Sequence, residues 1–351
     1  MKKLPGKGLL LCCGLLLLLA ALCLGVRSGI GRGMRWQETA ERWAGDSGGS
    51  YVQLACYFGP GEEISRETVY AFRAGLEETF TEAGLKTEGN DTLWLDCWSA
   101  SGSLTVTGSR GSTEAAAVAA GGSFFDFHPA ELRSGCFLRE TDLMKDRVVL
   151  DERLAWLLFG STDVAGLPVT IGEQPFLIAG VAAAEADRAE QELRGETPTV
   201  YLSSEAWEQL VGTDFDCYEV VLPETVEGYG ESLVRERLNA ELAVLQTVTD
   251  RFRLSGDVGR LKTLARAGLR TEAVRFPYWE NAARLTEQRR TLLLALCLLL
   301  LLFPALCLLA AAGILLAAGR KKLKTCLPRW RRAAGDGLYE LSARLAGKRK
   351  K

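Results

Sequence analysis

The sequence predicts a mixed α+β domain, held outside the cytoplasm between two transmembrane helices. Three observations point there. Two apolar runs, residues 9–26 and 291–318, lie near opposite ends of the 351-residue chain. About 20 apolar residues suffice to cross a bilayer as a helix, which satisfies its own backbone in lipid. Charge is segregated: residues 1–26 net +3, residues 319–351 net +10, and the stretch between carries 27 basic against 42 acidic residues. Between the runs, short strand-like segments alternate with amphipathic helical ones in no strict order, a mixed architecture.

The first run follows Lys2, Lys3 and Lys7 and reads as a span after a short cytoplasmic start, residues 1–8. A signal peptide cleaved near Ala20-Ala21-Leu22 is the alternative. Lipid attachment is disfavoured, because Leu22 precedes Cys23 and Cys12 precedes Cys13 where a small residue is expected. Residues 27–50 are rich in Gly and Arg and predict a stalk. A strand over 51–58 ends at Gly59-Pro60-Gly61. Val69, Phe72, Leu76, Phe80 and Ala83 then recur at helical spacing, predicting a helix over 65–83, with Glu62, Glu63 and Glu67 at its positive end. Strands follow at 92–98 and 104–107, with a turn at Ser101-Gly102-Ser103.

Further on, 147–150 predicts a strand, Asp151 a cap, 152–159 a helix and Gly160 its close. Strands at 169–171 and 176–181 flank Gly172-Glu173, a hairpin signal. Residues 182–194 are helix-prone, 199–202 and 218–222 predict strands, and 205–210 a short helix. Val234, Leu238, Leu242 and Leu245 predict a helix over 228–245. Residues 213–245 thereby echo 51–83 in architecture: strand, break, amphipathic helix. In the linker 249–290, helices are expected over 258–267 and 280–290. The latter runs into the second span, where Pro304 predicts a kink.

Arg320, Lys321, Lys322 and Lys324 abut the second span and place the basic tail, 319–351, in the cytoplasm. The lysines of the N-terminus place it inside too, although Arg27, Arg32, Arg35, Arg289 and Arg290 flank the spans on the other side. Trp330 among Arg329, Arg331 and Arg332, followed by 338–345, suggests a segment lying on anionic lipid, or else a simple topogenic tail. The acidic middle disfavours nucleic acid as a partner.

Of ten cysteines, Cys12, Cys13, Cys23, Cys297 and Cys307 fall in the spans and Cys326 in the tail. Cys56, Cys97, Cys136 and Cys217 remain outside, where an oxidising exterior permits pairing. Cys56 with Cys97 is one candidate disulfide; four buried free thiols are the other reading.

Apparent chemistry is thin. Gly45-Asp46-Ser47-Gly48-Gly49 imitates a serine-nucleophile motif, but the sole histidine, His128, lies downstream, and no strand leads into the serine. A membrane-tethered hydrolase is accordingly the least supported function. His128 follows Phe124-Phe125-Asp126-Phe127 and reads as part of an aromatic plug of the core, with a role in a site as the minor alternative. No Cys/His cluster has zinc spacing, and no cofactor is expected. Asn90-Asp91-Thr92 has the form of a glycosylation sequon.

One stretch carries a resemblance. Gly135-Cys136-Phe137, Asp142, Val148-Val149-Leu150-Asp151-Glu152, Leu154-Ala155, Leu158-Phe159-Gly160, Asp163-Val164-Ala165-Gly166, Ile171-Gly172 and Phe176 through Gly180-Val181 occur in order. This series resembles the MacB-like periplasmic core domain of the MacB/FtsX-like ABC transporter permeases. Mechanical readings attach to it: Ala155 lets the helix approach the sheet, Phe159 anchors the helix end, and Gly160 and Gly166 permit positive φ. The resemblance implies a porter-like subdomain built from 51–132 and 213–248, split by a small α/β insert, 133–212. Cys136 stands where the family has Arg. A family permease also has three further spans and a cytoplasmic segment coupling to its ATPase; here one span and a basic tail follow. The resemblance therefore implies a non-catalytic accessory or mechanotransmission-type subunit working with ABC permease and ATPase subunits. A two-span assembly factor, such as a homo-oligomeric polysaccharide chain-length regulator, shares the layout and is the alternative.

Overall fold

A computed structural model describes residues 6–45, 49–85, 92–184, 187–238, 243–264 and 276–347. The Ser47 motif and the Asn90 sequon thus lie outside the described residues. In chain order, a first helix α1 (Gly6–Gly29) precedes a 3-10 turn (Arg35–Glu38) and α2 (Thr39–Ala44). Then come β1 (Tyr51–Tyr57), α3 (Arg66–Glu82), β2 (Leu95–Gly108), β3 (Gly111–Gly122), α4 (Phe124–Phe127), β4 (Leu132–Gly135), β5 (Arg147–Asp151) and α5 (Glu152–Phe159). Next are β6 (Pro168–Ile171), β7 (Gln174–Ala182), α6 (Arg188–Arg194), β8 (Thr199–Ser203), α7 (Ser204–Leu210) and β9 (Cys217–Pro223). The chain closes with α8 (Tyr229–Arg237), β10 (Val244–Thr247), α9 (Leu254–Leu264) and α10 (Tyr278–Gly347).

Two compact units result: Met1–Arg27 with Leu292–Lys351, and Ser28–Thr291. The first contains two helical stretches long and apolar enough to cross a membrane, with mean hydropathy up to 2.9 and 3.1. Within it the Cys297 thiol meets the Ala20 carbonyl at 3.8 Å, and both residues are buried. Helix α10 continues through Pro304 and on to Gly347.

The second unit is one mixed sheet in the order β10-β1-β9-β2-β3-β8-β5-β7-β4, with β6 pairing β2 and β7. The strands of 51–132 and 213–248 lie together at one side, apart from β4, which begins at Leu132. Those of 133–212 lie at the other. A parallel β3–β8 seam, from Ala116↔Thr199 to Ala120↔Ser203, makes them one sheet. Arg73 of α3 ties the halves again: it grips Asp96 of β2 at 2.7 and 2.9 Å and reaches Glu140 beyond β4 at 2.7 Å.

Both faces are covered. On one, Val69, Phe72, Leu76 and Phe80 of α3, Leu154 and Leu158 of α5, Trp207 of α7 and Val234 of α8 bury against alternate strand residues. The other carries Met34, Trp36 and Ala40, then Phe124 and Phe127 of α4, Ala189 of α6, and Trp279, Ala282 and Ala283 of α10. Residues 34–40 are therefore no stalk: Met34 is 1% and Trp36 3% exposed. The Gly and Arg content that suggests a solvated tether masks an apolar set at Met34, Trp36 and Ala40, which removes itself from water against the sheet.

Local signals explain most boundaries. Ser65 accepts from the Thr68 N–H at the start of α3, and Asp151 accepts from the Leu154 N–H at 2.7 Å to open α5. Gly160 closes α5 in the left-handed region at φ +72°. Gly172 and Glu173, both at positive φ, turn β6 into β7.

Two expectations fail. Ser101-Gly102-Ser103 is no turn: β2 runs straight through it, paired with Val118, Ala117 and Ala116 of β3, and Trp207 lies over Gly102, where a Cβ would meet the indole at 2.8 Å. The hairpin turns instead between Gly108 and Gly111, and its return strand β3 has no large apolar residue to show its period. The helix expected over 228–245 ends at Arg237; Leu245 belongs to β10, paired with Cys56.

Candidate functional site

The sheet face covered by 34–44 and by the base of α10 carries the polar groups that the apolar core does not explain. Three adjoining parts lie there: a His–Glu pair, an aromatic cavity and a buried ion network.

Glu219 stands in the middle of β9, directly opposite Ala55 of β1 and Cys97 of β2. Alternation along β9 sends Tyr218, Val220 and Leu222 to the helical face, so Glu219 faces the other way with Cys217 and Val221. It is fully buried. His128, just past α4, places Nε2 2.6 Å from Glu219 Oε2. The Cys97 thiol donates toward the same oxygen at 3.8 Å. Burial, then the nearby Glu219 charge, pushes the Cys97 thiol well above the usual thiol range.

Around His128 the aromatic rings close in: Trp279 at 4.5 Å between centroids, Phe124 at 4.6 Å and Trp36 at 5.9 Å. A cavity of about 180 Å³ opens beside them, with Tyr201, Tyr278 and Glu190 on its wall. Trp36 and Trp279 both hold buried indole N–H groups without a partner among the described residues. Phe125, also on the cavity wall, stacks on Phe137 at 4.3 Å.

The ion network fastens α10. Arg251, after β10, gives Glu280 two hydrogen bonds of 2.6 and 2.9 Å and Glu287 two of 2.9 and 3.4 Å. The Arg251 and Glu280 side chains are 1% and 0% exposed. Tyr57 of β1 donates to Glu280 at 3.0 Å, and Arg284 one turn on donates at 2.7 Å. Arg260 of α9 spans Asp257 and Glu287, while Arg290 reaches Asp257 at 3.3 Å and the Ile30 carbonyl at 3.1 Å. Burial alone favours a neutral Arg251, but the bonds to Glu280 outweigh it and hold the guanidinium charged. Tyr57 is pushed up by burial and by the Glu280 charge, so it remains a donor. In effect, the residues just after α1 and the first turns of α10 are both tied into this face.

The motif residues of 135–181 gather elsewhere, around β4, β7 and α5. Gly135 is at φ +75°, and a Cβ there would meet the Ala179 carbonyl at 2.0 Å; at Gly180 it would meet Cys136 O at 2.5 Å. Only glycine fits that strand crossing. Asp142 accepts from the Arg139 N–H, Glu152 pairs with Arg133 at 3.2 Å, and Ala155 and Val181 are fully buried. Phe159 is half-buried at the edge of the core, and Gly166 turns with its N–H on Ile178 O at 2.7 Å.

A Cys56–Cys97 disulfide is ruled out by register. Strand β9 lies between β1 and β2, and the two thiols point to opposite faces. Both are free. Two strand spacings come to about 9–10 Å, beyond the roughly 7 Å limit for Cα atoms of a disulfide.

Sequence reasoning found His128 and missed its partner. The available signal was Glu219 itself, a lone acid in the apolar series Cys217–Pro223. Arg251 and Glu280 carried no comparable signal, each standing among other charges.

No protein-family profile matches the chain, and no curated protein matches it. Solved structures do. The periplasmic region of MacB from Actinobacillus actinomycetemcomitans is similar at 15% identity, over 62% of this chain and 93% of that one, with a TM-score of 0.42. So is the extracellular domain of the noncanonic ABC-type transporter YknZ from Gram-positive bacteria, at 18% identity, over 56% of this chain and 99% of that one, with a TM-score of 0.39. The described residues form a mixed α+β fold with long apolar helices on either side in sequence.

Proposed function

We propose that this is a two-span membrane protein whose extracytoplasmic domain is a mechanical element of an ABC-type export system, acting as an accessory, non-enzymatic subunit. The C-terminal tail is cytoplasmic, and the partners are ABC permease or ATPase subunits. The observation that carries the reading is the fastening of the domain to both of its flanks. Trp36 after the first apolar run and Trp279, Ala282 and Ala283 before the second are packed on one sheet face; Arg251 locks Glu280 and Glu287 of the second segment, and Arg290 holds the Ile30 carbonyl after the first. A tether that merely displayed a domain needs no such lock, whereas a subunit that passes displacement between membrane and exterior does. The ordered motif at 135–181 supports the choice of transporter class.

The test is affinity purification of the full chain in mild detergent, with identification of the proteins that accompany it. An ABC permease or ATPase in stoichiometric amount is expected. Recovery of a homo-oligomeric ring without transporter components overturns the proposal in favour of an assembly factor.

A further inference from the structure

The Cys97–His128–Glu219 cluster has a composition that ion pairing alone leaves unexplained. Three side chains of different types converge from β2, from the loop after α4 and from β9, with Sγ, Nε2 and a carboxylate oxygen all within 4.8 Å of one another. Glu219 is fully buried, and its second oxygen, Oε1, has no hydrogen-bond partner among the described residues. An orphaned oxygen of this kind has given up its hydration with no hydrogen bond in return, a cost that grows if it is charged. Among the described residues, His128 is the one basic side chain paired with the carboxylate. The chain's sole histidine is aimed at it, and the opposed Cys97 thiol points to the same oxygen.

We propose that Cys97, His128 and Glu219 bind a zinc ion. Thiolate, imidazole and carboxylate together are a borderline-soft donor set that suits Zn²⁺ better than Mg²⁺ or Ca²⁺. Zinc bonds of about 2.0–2.3 Å set tetrahedral ligand atoms about 3.3–3.7 Å apart. The Sγ–Oε2 distance of 3.8 Å already approaches that value, and the 2.6 Å Nε2–Oε2 contact opens by under 1 Å to admit the ion. Binding releases the Cys97 thiol proton to solvent and leaves a thiolate on the metal. Orphaned Oε1 gains a cation beside it. His128 also lines the 180 Å³ cavity, and a water or small donor molecule completes the fourth position. This site is independent of the transporter reading.

The experiment uses the tag-free full-length chain in detergent, in a Cys12→Ser/Cys136→Ser background that removes both exposed thiols found among the described residues. Protein equilibrated with Zn²⁺ and desalted is expected to retain about one zinc per chain by mass spectrometry of the metal, and its Tm is expected to fall when EDTA is added. Replacing zinc by Co²⁺ should give the intense near-ultraviolet band of a thiolate–cobalt bond. His128→Gln and Cys97→Ser should each lower retained zinc at least tenfold. If either variant fails to fold, the cobalt band of the parent protein decides the matter. Zinc well below one per chain with no EDTA effect overturns the proposal. So does retention unchanged in both variants, or a cobalt complex without the sulfur band.

Discussion

Substituting Arg251 by Met tests the lock at the base of α10 directly. The side chain is 1% exposed and makes four charged hydrogen bonds, two to Glu280 and two to Glu287. Removing one partner of a buried ion pair costs about 3–5 kcal/mol, because the other charge remains buried. Glu280 keeps Arg284 and Tyr57, which places the loss toward the lower end, about 3 kcal/mol. For a domain of this size 1 kcal/mol moves Tm by roughly 2 °C, so Arg251→Met should lower it by about 6 °C. Arg251→Met/Glu280→Met removes both charges and should recover at least half of that loss, since an apolar pair of similar volume is often no worse. Thermal unfolding of the full chain in detergent, followed by tryptophan fluorescence, to which buried Trp36, Trp98, Trp207 and Trp279 contribute, reads all three proteins. A single variant within about 1 °C of wild type, or a double variant that merely adds two penalties, refutes the assignment of the lock to this pair.

Further expectations concern the rest of the domain. Under native conditions Cys136 should react with a water-soluble maleimide while Cys56, Cys97 and Cys217 stay protected until denaturant is added. Their burial raises all three thiols, Cys56 to about 12, so raising the pH from 7 to 9 should leave that protection intact, and reducing agent should not change electrophoretic mobility. Trp36→Ala should cost about 3 kcal/mol in chemical unfolding, the usual cost of emptying a buried indole site, whereas a free stalk would give no change. Gly135→Ala should destabilise by more than about 1 kcal/mol, since both its φ and the Ala179 carbonyl exclude a Cβ; an unchanged midpoint counts against the tight crossing.

The sequence carried the strands and caps wherever a single physical rule governed them. Asp151 and Gly160 bracket α5 because capping and positive φ are local properties, and Gly172-Glu173 makes a hairpin for the same reason. Strand β3 stayed hidden because Gly111–Gly122 is built of small residues that have no hydrophobic period to read. The indole that lies over Gly102 belongs to Trp207, about a hundred residues away, which no local rule contains. Much the same holds for the site. His128 stood out as the single histidine, yet Glu219 acquires meaning only when β9 enters between β1 and β2. The proposed pairing of Cys56 with Cys97 fell because strand order is not written in either segment.

Strand order also sets a schedule for biosynthesis. Strand β1 pairs with β9 and β10, as at Tyr57↔Cys217 and Leu54↔Thr247, and its lower face is finished only by α10. At roughly 5–20 residues per second of synthesis, β1 waits on the order of ten seconds for its first neighbour and longer for α10. During that interval a strand of apolar residues stands open to any other unfinished chain nearby. The domain therefore matures only as its second long apolar helix leaves the ribosome, and a nascent chain arrested before residue 278 should be bound by chaperones or degraded instead of accumulating as a folded intermediate.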